Sequence, residues 1–300
     1  MRIAVIGAGA IGCTLAAALA DAGRDVVLVA RGRRLAQVQA GPVRIESGGR
    51  LQETAVKTLS VDALPGPVDF AICCVKTYSL EDAVSSLRPV LSPNAIILTL
   101  QNGVEAHRQA AQLLPGKTIL AGRMHGFYEM VGDRVRHVGV APSILLGCTQ
   151  GDSASISHAL AAFAGNGIAV DCSPDIVLAL WEKFLLAASL GGVAAALGLP
   201  AGKVSRDRQG AALLRAALQE VAALAEHLGI GLTQNHIAAT LAFVASFPPD
   251  ASTSLQRDLA AGRASERDAL TAAVCRIASA HGFKAEVFAS LDALITARWL

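Results

Sequence analysis

Residues 7–12 of this chain read Gly-Ala-Gly-Ala-Ile-Gly, directly after the apolar run Arg2–Ile6 and at the start of the helical stretch Ile11–Ala22. Three glycines at this spacing let a buried strand turn abruptly into a helix. Gly7 permits the tight turn, Gly9 lets another group approach the backbone, and Gly12 lets the helix pack against the strand. The N–H groups left unpaired at the start of that helix, together with its dipole, favour a bound phosphate. Strand, glycines and helix in this order predict a dinucleotide-binding turn. The backbone of Gly7, Ala8, Gly9, Ala10, Ile11 and Gly12 is expected to cradle the pyrophosphate.

The second strand narrows the choice of dinucleotide. Enzymes that use NAD commonly place an acidic residue at the end of this strand to hold the ribose 2′-OH. Here Val26–Ala30 is followed by Arg31, and the only nearby acid, Asp25, stands at the strand's start. An arginine at that point suits a 2′-phosphate, so NADPH is the expected cofactor. The alternative is that Arg31, Arg33 and Arg34 form an ordinary solvated basic loop.

Up to about residue 172, short apolar runs alternate with helical stretches. Phe70–Val75, Ala95–Leu100 and Thr118–Ala121 read as strands, separated by helices near Leu80–Val90 and Glu105–Leu114. The segment Val43–Val56, with a Ser-Gly-Gly turn, reads as a hairpin. This alternation predicts a mostly parallel, doubly wound sheet. From Asp175 onward only helical periodicity is found, with expected helices at Ile176–Leu197, Ala211–Leu228, Gln234–Phe247, Ser254–Ala261, Glu266–Ala280 and Ala285–Ala297. The expected fold is therefore an α/β Rossmann domain over residues 1–172 and an all-α domain over residues 173–300.

A net charge of +2 in 300 residues argues against nucleic acid, which needs clustered basic charge. The longest apolar run, ending at Leu199, carries Glu182 and Lys183, and no other stretch suits a membrane span. The apolar first twenty residues are interrupted by functional glycines, which argues against an export signal. Six scattered cysteines without a CxxC pair or a Cys/His cluster predict reduced thiols, no metal site and a cytoplasmic location.

Several further segments, taken in order, resemble the ketopantoate reductase (2-dehydropantoate 2-reductase) family over nearly the whole chain. They are Ile6–Gly12, VKTY at Val75–Tyr78, QNGVE at Gln101–Glu105, LWEKF at Leu180–Phe184, TSLQRD at Thr253–Asp258, SERD at Ser265–Asp268 and AHG at Ala280–Gly282. The resemblance implies NADPH-dependent reduction of a 2-oxo acid in a cleft between two domains. 2-Dehydropantoate is the first substrate to consider and pantothenate biosynthesis the implied setting. It implies that Lys183 is the catalytic acid and that Asn102 is a polar group facing cofactor and substrate. Lys76 would neighbour the nicotinamide, Ser254 would bind the substrate carboxylate, and Glu266 would orient the substrate or the lysine.

Elementary chemistry agrees, because hydride addition to a ketone leaves an alkoxide that needs a proton and a nearby positive charge. Partial burial would lower the pKa of Lys183, and a nearby Glu266 would oppose that shift. No histidine competes: His125 follows a strand and could line the cleft. The others are expected on helix surfaces, in a hairpin or at caps.

The chain departs from the family where the pocket should be polar. The asparagines expected four and eight residues after the lysine are Ala187 and Gly191, and the one after the glutamate motif is Thr271. With Gly192, these substitutions predict a roomier and more apolar pocket. Alternatives to ketopantoate reduction are therefore a different carbonyl or hydroxy-acid substrate, or a catalytically silent NADPH-binding protein. The apolar helices of the second half suit either a homodimer face or that domain's own core.

Overall fold

The computed structural model describes residues 1–299 and divides into two compact units. One comprises residues 1–101 and 105–176, the other residues 102–104 and 177 onward. The break near residue 176, rather than 172, follows the chain. The last strand ends at Cys172, Ser173 still donates its N–H to Leu146 of the sheet, and the next helix begins at Ile176.

The α/β unit is built on a ten-stranded sheet. Its strands are β1 (Ile3–Ile6), β2 (Val26–Val29), β3 (Val43–Ser47), β4 (Arg50–Thr54), β5 (Thr58–Leu59), β6 (Val68–Cys73), β7 (Leu91–Thr99), β8 (Thr118–Val131), β9 (Arg134–Gln150) and β10 (Ala169–Cys172). The order is β4-β3-β9-β8-β7-β6-β1-β2-β5, with β10 paired to β9. From β8 across to β5 every pairing is parallel, whereas β3–β4 and β8–β9 are antiparallel. The five helices are α1 (Ala10–Asp21), α2 (Gly32–Gln39), α3 (Leu80–Leu87), α4 (Ala106–Leu113) and α5 (Ser155–Phe163).

Alternation along the strands sorts the core into two layers. Ile3 and Val5 join Leu15, Leu19, Leu28, Phe70, Leu98 and Phe163 on one face. Ala4 and Ile6 join Val27, Val29, Leu80, Val84, Leu87 and Ala110 on the other. Successive strand side chains point to opposite faces, so a strand covered by helices on both sides must be apolar throughout. The IAVI and VVLV sequences of β1 and β2 are.

Three features differ from the sequence-based expectations. Thr118–Ala121 is only the start of a long β8–β9 hairpin with shifts of register, one between His125 and Phe127. His125 therefore lies within a strand, paired with Ser143, and not after one. His107 is 6% exposed, although an α4 surface position was expected. Burial, and then the Arg108 charge, push its pKa down to about 4. Arg31, Arg33 and Arg34 do not form a loop: Arg31 caps α2 and the other two lie in it.

The helical unit is organised around α6 (Ile176–Leu197), with α7 (Ala201–Val204), α8 (Arg208–His227), α9 (Gln234–Ala245), α10 (Ser254–Ala260), α11 (Thr271–Ala280) and α12 (Glu286–Trp299). A helix that is apolar all round belongs inside a protein. α6 is long and apolar enough to cross a membrane, yet 67% of its most apolar window is buried within the protein. Trp181, Phe184, Leu185, Ala188 and Val193 are buried on it, the place of a core helix.

Helix ends are capped by side chains. Asp207 accepts the Gly210 N–H at 2.7 Å at the start of α8. Glu220, on α8, accepts both the Val287 and Phe288 N–H groups at 2.9 and 2.8 Å, which satisfies the first turn of α12 from a neighbouring helix. The helix expected from Glu266 to Ala280 is broken at Leu270 into a single turn, Arg267–Ala269, and α11. The break places Arg267 in a two-pronged ion pair with Asp292, whose Oδ1 also accepts the Thr271 hydroxyl at 3.0 Å.

Candidate active site

In the α/β unit β1 is followed by β2 on one side of it, and β6 pairs with its other side, so the strand order reverses at β1. Ligands bind open α/β sheets at such a reversal, outside the carboxyl ends of the strands. The glycine turn stands at the end of β1, and Val75 and Lys76 at the end of β6.

The three glycines of the turn are needed for different reasons. Gly7 has φ of +106°, and a Cβ on it would stand 2.9 Å from the Val75 backbone nitrogen. A Cβ on Gly12 would stand 1.8 Å from the Gly7 carbonyl oxygen, so helix and strand could not approach as they do. Gly9, the N-cap of α1, is exposed, with nothing within 4 Å of the place its Cβ would take. Two glycines thus make the turn, and the third leaves open space at a helix N-terminus. That space, beside a backbone with no side chain at Gly9, fits a pyrophosphate.

Gln101 ties the neighbouring strand ends together. Its amide nitrogen donates to the carbonyls of Cys73 at 2.8 Å and Val75 at 3.0 Å, which fixes the chain leading into Lys76 and into the next loop. Lys76 caps a single helical turn, Thr77–Ser79. Arg31 is exposed and pairs at 3.6 Å with Asp82, also exposed. A surface pair of this kind contributes at most about 1 kcal/mol, so its guanidinium can exchange partners cheaply.

Asn102–Val104 belongs to the helical unit. Asn102 donates its amide N–H to Glu266 Oε2 at 2.9 Å, and Glu266 is only 4% exposed. The close seat of this loop depends on Gly103, whose φ is +88° and whose Cβ would be 2.7 Å from the Ala269 carbonyl oxygen. Asn102 and Glu266, 164 residues apart, are thus brought together.

Lys183 is half-buried on α6, next to Glu182, which pairs with His236 Nε2 at 3.2 Å. His236 Nδ1 accepts the Thr233 N–H at 2.9 Å, so this histidine closes the cap of α9. Ser254 is the first residue of α10 and not its cap. Thr253 takes that duty, with its hydroxyl accepting the Gln256 N–H at 3.2 Å and the Gln256 side chain returning a bond to the Thr253 N–H.

Of the positions where an enlarged pocket is expected, Ala187, Gly191 and Gly192, packing leaves no room at Gly192, whereas a Cβ on Gly191 would make only ordinary contact. Gly191 and Gly192 are buried by packing. A Cβ on Gly191 would lie 3.6 Å from Leu255, and one on Gly192 would lie 2.8 Å from the Thr271 methyl. Thr271, which replaces an asparagine of the family pattern, occupies the space that Gly192 vacates. Thr271 and the neighbouring Gly192 thus pack as a pair. Among the described residues no group of three metal-ligating side chains is found.

The sequence reading missed Gln101, Gly103 and Gln256 as parts of the site's framework. Only the QNGVE and TSLQRD segments pointed toward them.

Two family models match the chain: ketopantoate reductase PanE/ApbA over residues 3–151 and its C-terminal counterpart over residues 175–298. The chain belongs to the ketopantoate reductase family. The 2-dehydropantoate 2-reductase of Mycobacterium tuberculosis (strain ATCC 25618 / H37Rv) is 28% identical, over 98% of this chain and 97% of that protein. That of Caulobacter vibrioides is 29% identical over 98% of both. A PanE/ApbA family ketopantoate reductase from Ralstonia eutropha JMP134 superposes with a TM-score of 0.89 at 30% identity, covering 99% of this chain and 98% of that one. Ketopantoate reductases are oxidoreductases, and the Rossmann-like unit and the helical unit described above are this family's architecture.

Proposed function

We propose that this protein catalyses NADPH-dependent reduction of a 2-oxo acid to a 2-hydroxy acid, with 2-dehydropantoate the first substrate to test. The observation that carries the reading is the glycine cradle at Gly7–Gly12, at the sheet's reversal point, in a chain matched by this family along nearly its whole length. NADPH is favoured over NADH by Arg31 at the end of β2, where the 2′-phosphate of the adenosine ribose would meet a guanidinium rather than a carboxylate.

The nicotinamide cofactor supplies the hydride. The remaining work falls to side chains of this protein. Lys183 donates the proton that the nascent alkoxide requires, and its charge stabilises that oxygen as it develops. Ser254 binds the substrate carboxylate with its hydroxyl. Glu266 accepts the Asn102 amide N–H and so holds that side chain, whose carbonyl oxygen is then available to accept a hydrogen bond from cofactor or substrate. Lys76 neighbours the nicotinamide end.

The replacement of three family amides by Ala187, Gly191 and Thr271 supports a second substrate class, a 2-oxo acid without the hydroxyl that those amides would read. A site built to bind a hydroxyl rejects an analogue that lacks one, and a site without amides loses that discrimination. The test is steady-state oxidation of NADPH with a panel of 2-oxo acids, hydroxylated and not, in both directions. Turnover of none of them, with NADPH still bound, would leave a binding protein and sink the catalytic reading. The expected cytoplasmic location and homodimer belong to the same proposal, and fractionation and sedimentation check them.

A further inference from the structure

The three arginines after β2 differ in what they touch. The Arg31 side chain is 76% exposed and Arg33 is exposed, whereas Arg34 turns inward behind the glycine turn. Its Nε donates to the Ala8 carbonyl oxygen at 2.7 Å. Its Nη2 lies 3.6 Å from both Cys13 Sγ and Met130 Sδ, and its Nη1 reaches Gln37 Oε1 at 3.5 Å. The Cys13 thiol shares the same acceptor, 3.5 Å from the Ala8 oxygen. Burial raises the pKa of that thiol and keeps it a protonated donor.

The Ala8 carbonyl belongs to the same peptide unit as the Gly9 N–H. In a planar trans peptide those two groups point in opposite directions, and the chain has no cis peptide bond among its described residues. Ala8 is 4% exposed, and Gly9 faces open space. Whatever holds the Ala8 oxygen on the inner side therefore aims the Gly9 N–H at the outer side, where the cradle would receive a phosphate.

We propose that Arg34 is a positioning residue: by fixing the Ala8 carbonyl it orients the Gly9 N–H toward the pyrophosphate shared by both nicotinamide dinucleotides, and takes no part in reading the 2′-phosphate. This rests on the reading of the turn as a dinucleotide cradle. A charge-assisted bond to a buried carbonyl is stronger than a neutral one, which suits the one peptide whose rotation would turn a carbonyl toward a phosphate.

The test is calorimetric titration of the full-length protein with NADPH and with NADH, for wild type, R34Q, R34K and R31Q. R34Q is expected to weaken both dinucleotides by about tenfold, equivalent to about 1.4 kcal/mol, with their ratio preserved within about twofold. R34K, which keeps the charge but loses the guanidinium geometry, is expected to weaken both by about threefold. R31Q is expected to weaken NADPH and spare NADH. If R34Q does not fold, R34K alone carries the comparison.

Selective loss of NADPH affinity in either Arg34 variant would show that Arg34 reads the 2′-phosphate and overturn the proposal. Unchanged affinity for both dinucleotides in folded R34Q, or in R34K, would overturn it as well. Failure of wild-type protein to bind either dinucleotide would instead refute the cradle reading itself.

Discussion

In the α/β unit the proposed phosphate cradle is made of backbone atoms within six consecutive residues. In the helical unit the proposed site is made of side chains, Asn102, Lys183, Ser254 and Glu266, drawn from four separate stretches of chain. A backbone cradle is specified by what residues lack, so glycines mark it in the sequence. A side-chain site is specified by what distant residues bring together, and packing decides that. The two kinds of site should also fail differently when altered.

The largest expected effect is in the helical unit. Lys183→Ala should lower kcat by about 10²–10⁴-fold, the usual worth of a positioned general acid. Cofactor affinity should remain within about twofold of wild type. Steady-state kinetics with cofactor titration would check both. A turnover rate close to wild type would remove Lys183 from its role.

The glycine turn separates folding from binding. Gly12→Ala places a methyl 1.8 Å from the Gly7 oxygen and should cost about 3 kcal/mol or more of stability, seen in a denaturant midpoint. Gly9→Ala meets nothing within 4 Å and has an ordinary backbone φ of −78°. Its stability should change by less than about 0.5 kcal/mol, while dinucleotide affinity falls. Unimpaired binding in Gly9→Ala would mean that no phosphate approaches there.

The packing of Thr271 against Gly192 in the helical unit is tested by a coupled pair. Gly192→Ala should destabilise by about 1–3 kcal/mol through contact with the Thr271 methyl. Thr271→Ser removes that methyl and keeps the hydroxyl that Asp292 accepts. The double variant should therefore recover much of the loss, a coupling that a double-mutant cycle measures. Strict additivity would show that the two positions are independent.

A smaller effect separates the units by pH. His107 in the α/β unit has its pKa held down near 4, chiefly by burial. Below the unfolded value of about 6.5 the unfolded chain takes up a proton that the folded one refuses. Stability from this group is complete above that value and is lost as pH falls toward 4. Between pH 7 and pH 5 the loss should be at most about 2 kcal/mol. His107→Gln should flatten that slope in denaturant titrations at the two pH values.

The alternation of apolar runs, the hairpin at Val43–Val56 and the long helices of the second half were legible in the sequence, because each follows from local periodicity. The β8–β9 hairpin was legible only at its start. Its far half carries polar and half-exposed residues whose pairing depends on the opposite strand. The burial of His107 was not legible either, because its α4 neighbours in the sequence do not record what packs over it in the fold. Residue types at Lys183, Ser254 and Glu266 were readable, but the cap of α10 at Thr253 and the break at Leu270 depend on Gln256 and Asp292.

By itself, the sequence determined that the first strand turns into a helix through a side-chain-free cradle, since only glycine tolerates Gly7's backbone angle and Gly12's close contact. Tertiary structure alone decided that Arg34 faces inward while Arg31 faces out, that Glu266 holds Asn102, and that Thr271 fills the space beside Gly192. Those are relations between residues far apart in the chain, set by close packing and by hydrogen bonds that form only once the elements are assembled.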